Sequence, residues 1–399
     1  MQKIYNAIIV GGGATGLLCA VELCRGENAF LGQDVLIIER NDRVGKKLLA
    51  TGNGQGNLSN SNLSVDYYHG DSKFIESFFA DLKNNEIEEY FNNLGLPLIT
   101  DESGKMFPMS KQASSFSDII RAHLNNYNVQ TVFNEKVVSV ERYKQCFKVQ
   151  SENQTFYAKN VILSCGGKAS KQFGTDGSSY GLAQSFGHRI SKLYPALVQI
   201  KTETAHIKGL NGIKEYATVK AYDADKYLAS ASGDVLFTQY GLSGSTVFSI
   251  SGYLTTAKKP NVRIEFLPRY SLEQTEEVIK LTKNSPLHRI NPLLGIVNKK
   301  VGEAIIKRAS DRSIPSLARQ LKDFRLEVVG DLGFDNAQVT KGGIRTDELN
   351  YKTLESNIQK GLYIGGEMLD VDGDCGGYNL TFAFYCGIKI ARALKSKNS

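Results

Sequence analysis

The sequence predicts an α/β fold: a nucleotide-binding parallel sheet into which a β-rich domain with a helical excursion is inserted. Three observations predict it. An apolar strand at the N-terminus runs into a glycine loop and then a helix over residues 4–23. A second apolar strand, 35–38, follows and ends in an acid, Glu39. Near the C-terminus another short apolar strand, Leu362-Tyr363-Ile364, ends in Gly365-Gly366-Glu367, after a middle segment with a different pattern.

The N-terminal unit carries the most local information. Residues 4–10 form a mostly apolar run, broken only by Asn6, which reads as a parallel strand buried on both faces. Gly11-Gly12-Gly13-Ala14-Thr15-Gly16 then makes a G-x-G-x-x-G loop that opens a helix. Gly11 allows the tight turn, Gly13 lets a diphosphate approach the backbone, and Gly16 lets the helix pack close to the strand. Ala14 and Thr15 stand in the first helical turn, whose N–H groups and positive dipole end face the phosphates. Glu39 lies about 20 residues beyond the glycines, where a carboxylate accepts from a ribose diol and repels a 2′-phosphate. This is a Rossmann-like dinucleotide site. The fingerprint by itself leaves NAD and FAD both open.

The C-terminal block favours FAD. Glu367 stands at the carboxyl end of a buried strand, where ligands of open α/β sheets bind. The turn resembles one in flavoproteins where an acid binds the ribityl chain, which makes Glu367, beside Gly366, the candidate for that contact. Gly376-Gly377-Tyr378-Asn379 opens a last helix expected over about 380–394. The N–H groups of Gly377, Tyr378, Asn379 and Leu380 would face the N1–C2=O edge of a flavin and stabilise its reduced, negative form. Two ligand-facing segments so far apart suit a molecule as long as FAD. Val137-Val138 either sets a backbone group against the adenine, with Val138 the candidate, or simply starts a strand.

Composition limits the alternatives. A chain of 399 residues with 41% hydrophobic content implies about two to three domains with real cores. The formal net charge of +7 favours anionic partners: a phosphorylated cofactor, an acidic substrate or RNA. Lys299-Lys300 and Lys307-Arg308 are too short for a nucleic-acid arm and fit a solvated helix face. The six cysteines (19, 24, 146, 165, 375 and 386) include no C-x-x-C, and histidines are few, so neither a metal site nor a disulfide framework is expected. A reducing, cytoplasmic compartment fits. No signal peptide and no membrane span are expected. No Ser-His-Asp, Cys-His or paired-carboxylate arrangement supports hydrolase chemistry.

The middle segment, 192–335, reads as the inserted domain, leaving 1–191 and 336–399 as a discontinuous cofactor domain. Short β-like runs are expected at 197–201, 217–221, 235–238 and 262–266. Ser271-Leu272-Glu273-Gln274 is a capping box, and 291–309 has helical spacing, so the helical part covers about 270–323. Such an insert would cap the cofactor and shape a substrate cleft.

The segment after Glu39 begins Arg40-Asn41-Asp42-Arg43-Val44-Gly45-Lys46-Lys47 and continues through Thr51-Gly52-Asn53-Gly54-Gln55-Gly56-Asn57. A Gly/Asn/Thr loop with two lysines suits an extended anionic ligand; the candidates are Arg40, Lys46, Lys47, Thr51, Asn53, Gly54 and Asn57. This segment resembles the signature of the BaiN-like flavoproteins, also called aminoacetone oxidase-like NAD(P)/FAD-dependent oxidoreductases. Further similarities run along nearly the whole chain. They comprise Glu102 to Pro108, the strand-to-glycine turn Val161 to Gly166-Gly167, Gly187-His188 to Val198, Leu236 to Gly244, Val339 to Ile344, Gly361 to Asp370, and Gly376 to Leu380. Departures from the family pattern are Gln55-Gly56 for a usual Arg-Cys, Gln239 for a His, Ser245 for a Pro, Ser178 for an Asp and Cys375 for a Thr.

The resemblance implies an FAD-dependent oxidoreductase that passes a hydride at flavin N5 to or from a small amine or a polarised C=C bond. It implies NADH or NADPH as a transient reductant, although no second glycine fingerprint exists for one. Two alternatives accompany it: a flavoprotein reducing a base in RNA, and a non-catalytic flavin-binding protein, suggested by the missing Arg, Cys and His. A small molecule is the expected partner, and the oligomeric state is not legible. No catalytic residue is fixed. Tyr378 and Cys375 are the candidates, set against plain packing roles, and His188 reads as structural.

Overall fold

The computed structural model describes residues 3–83 and 85–397. The chain forms two compact units, one from Met1–Leu193 with Val339–Ser399, the other Tyr194–Gln338.

The first unit is built on a seven-stranded sheet. Its central strand, Ile4–Val10, pairs in parallel with Val35–Ile38 on one side and with Thr155–Leu163 on the other. Gln130–Val132 extends the sheet beyond Val35–Ile38. The strand Thr155–Leu163 is shared. Its first half pairs antiparallel with Cys146–Ser151, which continues to Val137–Tyr143, and its last three residues pair in parallel with Leu362–Ile364. Ile8, Ile9, Leu36, Ile37, Ile162 and Tyr363 are fully buried, as continuous apolar strands require when both faces are covered.

Two helices crowd one another against this sheet, Ala14–Leu23 and Tyr378–Ser396. A Cβ on Gly387 would lie 2.3 Å from Thr15 O, so only glycine permits the crossing. The last helix starts two residues before the expected Leu380 because Gly377, at φ 103°, caps it. It is buried almost all round from Thr381 to Ala391, the mark of a helix enclosed in a core.

The second unit is a closed six-stranded barrel, in the order Ile200–Thr202, Gly241–Ser243, Lys226–Phe237, Lys214–Asp223, Pro260–Glu265, Phe324–Asp331. The ring closes through short pairings: Lys226–Phe237 meets Gly241–Ser243 only at Leu236 and Phe237. The expected run at 197–201 begins later. Leu197 has φ 50° and Val198 N–H donates to Ser251 Oγ at 3.1 Å, so the chain is still turning there. Phe324–Asp331, which closes the barrel, was not expected, although its residues alternate between buried and partly exposed. The capping box is present: Ser271 Oγ accepts from Gln274 N–H, and Ser271 N–H donates to Gln274 Oε1 at 2.8 Å. The helix expected over 291–309 is confined to Lys299–Arg308. Pro292 and Gly295 (φ 90°) break the earlier turn, and Asn298 caps the new start by accepting from Lys300 N–H at 3.0 Å. Among the described residues no helix is long and apolar enough to cross a membrane.

Candidate functional site: the aligned strand ends

Sheet register sets the site. Ile38, Val10, Leu163 and Ile364 lie in one row across four neighbouring strands. The ladder runs one step further: Gly11 N–H donates to Ile38 O at 2.9 Å, Ser164 N–H to Val10 O at 3.0 Å, and Gly365 N–H to Leu163 O at 3.0 Å. The glycine loop, the Ser164–Gly167 turn, the Gly365–Glu367 turn and Glu39 therefore leave the sheet along one edge.

The glycines of the loop divide by what they meet. Gly11 has φ 101°, and a Cβ on it would lie 2.6 Å from Ser164 O; on Gly16 it would lie 2.1 Å from Gly11 O. On Gly13 it would meet nothing within 4 Å among the described residues beyond its own chain neighbours. The chain itself thus requires glycine at 11 and 16, while the space beside Gly13 is open to a ligand. The helix begins without a side-chain cap, so the first-turn N–H groups at Ala14, Thr15 and Gly16 suit an anion. The Thr15 hydroxyl is used internally, donating to Ala383 O at 2.8 Å.

Glu39 is buried, and its carboxylate accepts from Gly12 N–H and from the backbone and side chain of Asn41, all at 2.8 Å. The cations expected around the ligand already have anionic partners. Arg40 donates to Gly174 O at 2.9 Å and pairs with Asp176 at 3.0 Å. Burial would raise the Asp176 carboxyl, but Arg40 and Ser178 hold it well below the usual carboxylate range. Lys46 pairs with Asp42 and Lys47 with Glu367, both at 2.7 Å. Thr51 Oγ1 donates to Leu48 O at 2.6 Å. Asn53 (φ 54°) and Gly54 (φ 85°) make an exposed left-handed turn. The Asn57 amide donates to Ser59 O at 2.9 Å and accepts from Gly377 N–H at 3.2 Å. That N–H is therefore spent within the chain, leaving those of Tyr378, Asn379 and Leu380 at the helix start.

Glu367 is the hub of the C-terminal turn. One carboxylate oxygen takes Lys47; the other accepts from Thr340 N–H at 3.0 Å. Thr340 Oγ1 accepts from Lys168 N–H at 2.7 Å and Ala169 N–H at 3.0 Å. A Cβ on Gly167 would lie 2.4 Å from Thr340 Oγ1, and one on Gly366 2.2 Å from Thr15 Oγ1. Gly166, at φ 76°, turns beside Thr175. Val138 is exposed and sits at a register shift between Val137 and Ser139. It is a bulge position, which interrupts ladder pairing.

Around the last helix, Tyr378 is buried, stacked on Tyr67 with ring centroids 4.5 Å apart, and donates weakly to Asn62 O at 3.3 Å. Burial raises its phenol far above the ordinary value, as do Tyr67 and Asp374. Asn379 clamps Gly373, accepting from its N–H at 2.8 Å and donating to its carbonyl at 2.6 Å. Leu380 packs half-buried against the core. Burial pushes the Cys375 thiol up, so it stays protonated at neutral pH. His188 is buried between Glu348 Oε2 at 3.0 Å and Ser356 Oγ at 2.8 Å, a structural role. Among the described residues no group of His, Cys, Asp or Glu is arranged to hold a metal.

Three polar features were missed by sequence reasoning. His69 Nε2 lies 2.8 Å from Asp374 Oδ1, across the strand pair Tyr68–Gly70 and Val371–Gly373. Asp372, facing His69 in register, pairs with Lys341 at 3.3 Å, and burial raises its carboxyl against the pull of Lys341 and His69. The Tyr180 hydroxyl is buried without a hydrogen-bond partner among the described residues. The acidic run before the last glycines, Asp370 to Asp374, was the available signal for the first two.

Aligned strand ends, a glycine loop with open space at Gly13 and a second helix start define a Rossmann-type protein whose strand-end edge is open beside Gly13. The family of the HI0933-like protein Rossmann domain matches residues 5–393, and the chain belongs to that family. Over 96% of its length it is 36% identical to the 3-dehydro-bile acid Δ4,6-reductase of Clostridium scindens, covering 98% of that protein. It is 28% identical to the ribosomal RNA dihydrouridine synthase of Haemophilus influenzae, covering 98% of this chain and all of that one. The fold is shared with the 3-ketosteroid-Δ4-(5α)-dehydrogenase of Rhodococcus jostii RHA1 at a TM-score of 0.52 and 13% identity, over 99% of this chain and 98% of that one. The chain is an FAD-dependent oxidoreductase.

Proposed function

We propose that the chain reduces a polarised C=C bond in a small molecule, taking its electrons from NADH or NADPH. One observation carries the cofactor half of this reading: the register row that brings Gly11, Ser164 and Gly365 to one edge, with open space beside Gly13. The substrate class is supported by the 36%-identical relative, named as a Δ4,6-reductase. When bound, FAD supplies the hydride.

The residues divide the work as follows. Gly13, Ala14, Thr15 and Gly16 offer backbone N–H groups to the diphosphate, and Gly11 makes the tight turn that leads to them. Glu39 accepts from the adenosine ribose, Arg40 holds the neighbouring 174–176 turn, and the Val138 backbone lies against the adenine. Lys46, Lys47, Thr51, Asn53, Gly54 and Asn57 shape the loop beside the ligand. Gly166, Gly167, Gly366 and Glu367 line its middle, and the helix start at Gly377, Tyr378, Asn379 and Leu380 faces the ring edge where negative charge develops. The barrel of the second unit is the candidate substrate domain.

The test is spectroscopic. Purified protein should be yellow, bleach with NADH or NADPH without oxygen, and regain colour on adding an enone. Protein that neither carries nor takes up FAD would sink the reading; bound FAD that no nicotinamide reduces would favour a non-catalytic flavin-binding role. A second reading, reduction of a base in RNA, is supported by the 28%-identical ribosomal RNA dihydrouridine synthase and by the net charge of +7. RNA that co-purifies and is released steeply by salt would favour it.

A further inference from the structure

We propose that His69 is the general acid of the C=C reduction and that Asp374 holds its ring in place, an assignment that rests on the substrate reading above. The two residues meet at a short antiparallel ribbon, the strands Tyr68–Gly70 and Val371–Gly373. His69 Nε2 lies 2.8 Å from Asp374 Oδ1. Both side chains are reachable from outside, His69 at 19% and Asp374 at 28% exposure.

The bonds of the ribbon place it between the two segments read as facing the cofactor. Val371–Gly373 starts three residues after the turn Gly366–Met368 and ends four before Gly377. Asp372 stands opposite His69 in register, on the same face of the ribbon, and pairs with Lys341 at 3.3 Å. Lys341 adjoins Thr340, whose N–H donates to Glu367 at 3.0 Å. On the other side, Asp374 N–H donates to Tyr67 O at 2.9 Å, and Tyr67 stacks on Tyr378, the first residue of the last helix. A ligand that reaches from Glu367 to that helix start passes the ribbon.

The reaction needs an acid there. The hydride goes to the β-carbon, the π electrons move through the α-carbon onto the carbonyl oxygen as an enolate, and the α-carbon takes a proton as the carbonyl re-forms. Both electrons arrive with the hydride, from the nicotinamide by way of the cofactor. Burial raises the Tyr378 phenol and the Cys375 thiol, so both keep their protons. Of the other histidines in the first unit, His188 is buried between Glu348 and Ser356, and His123 is bound to Leu94 O. An imidazolium gives and regains a proton readily near neutral pH. Asp374 accepts from one ring nitrogen, the proton on the other passes to the α-carbon, and solvent restores it.

His69→Gln separates acid catalysis from packing. The flavin is reduced without oxygen by NADH or NADPH, then mixed with an enone or with ferricyanide, which takes electrons and leaves the proton to solvent. Reoxidation by the enone should slow about 100-fold or more, and reoxidation by ferricyanide should stay within about twofold of wild type. A readout without turnover accompanies it: diethyl pyrocarbonate should modify His69 in the oxidised holoprotein, mapped by peptide mass, and a saturating enone should protect it. Enone reoxidation within about threefold of wild type overturns the proposal. So does equal slowing with ferricyanide, which marks a disturbed cofactor site, and so does a His69 that the enone leaves unprotected. If His69→Gln does not fold, Asp374→Asn carries the same comparison, with the enone step slowed about tenfold. Wild-type reduced flavin that no enone reoxidises fails the substrate reading itself and this assignment with it, an outcome distinct from a slow variant.

Discussion

Lys47 and Glu367, 320 residues apart in the chain, meet at 2.7 Å with both side chains largely buried. The pair ties the loop after the second strand to the turn after Leu362–Ile364, so the two walls of the strand-end edge hold each other. Removing one partner leaves the other partly buried and unpaired. Lys47→Met should cost about 1–3 kcal/mol of stability by denaturant titration. Bound FAD should also weaken, because the Glu367 carboxylate loses the cation that neutralises it. An unchanged denaturation midpoint would refute this.

Gly13 and Gly16 should respond oppositely to alanine. At Gly13 the new Cβ meets none of the described residues beyond its chain neighbours and φ is −86°, so the Gly13→Ala apoprotein should melt at or slightly above the wild-type temperature. Its FAD affinity should fall about tenfold or more, because the methyl group enters the space read as the diphosphate site. At Gly16 the Cβ would lie 2.1 Å from Gly11 O, and Gly16→Ala should fold poorly or lose about 3 kcal/mol or more. Equal effects at the two positions would contradict the division.

Acid sensitivity should centre on His188. Burial lowers its pKa, and the hydrogen bond it donates to Glu348 only partly offsets this. The unfolded chain then takes up a proton at higher pH than the folded one. Stability from this group is intact above the unfolded value, about 6.5, and declines as pH falls below it. Glu348 adds a lower window. Burial raises its carboxyl, but Arg189 and His188 outweigh this and hold it below its ordinary value, so its contribution is lost as pH falls below the usual carboxylate range. Denaturant midpoints should drop between about pH 6.5 and 5, and His188→Gln should flatten that drop. A midpoint equally steep in the variant would assign the acid sensitivity elsewhere.

Cys375 should be a slow thiol. Burial raises its pKa and Asp374 adds to it, against a weaker pull from Lys105. Alkylation by iodoacetamide at pH 7.5 should run about tenfold or more below a free cysteine, and Cys375→Ser should leave FAD binding within twofold. Alkylation as fast as that of a free thiol would instead mark an activated cysteine.

The legible parts of this protein are those whose cause lies within a few residues. The apolar run 4–10, the spacing of Gly11, Gly13 and Gly16, the acid at 39, the strand-to-glycine turn at 362–367 and the capping box at Ser271 could all be read directly. Each is a local pattern whose physics needs no distant partner. The tertiary structure alone decided the rest, because the partners are far apart in sequence. It placed Ile38, Val10, Leu163 and Ile364 in one row, gave Arg40 to Asp176 and Lys47 to Glu367, and turned Asn379 onto Gly373. It also brought Phe324–Asp331 back to close the barrel, and buried the Tyr180 hydroxyl where none of the described residues receives it. Charge and polarity show in a sequence; which group neutralises which is set only when the chain folds.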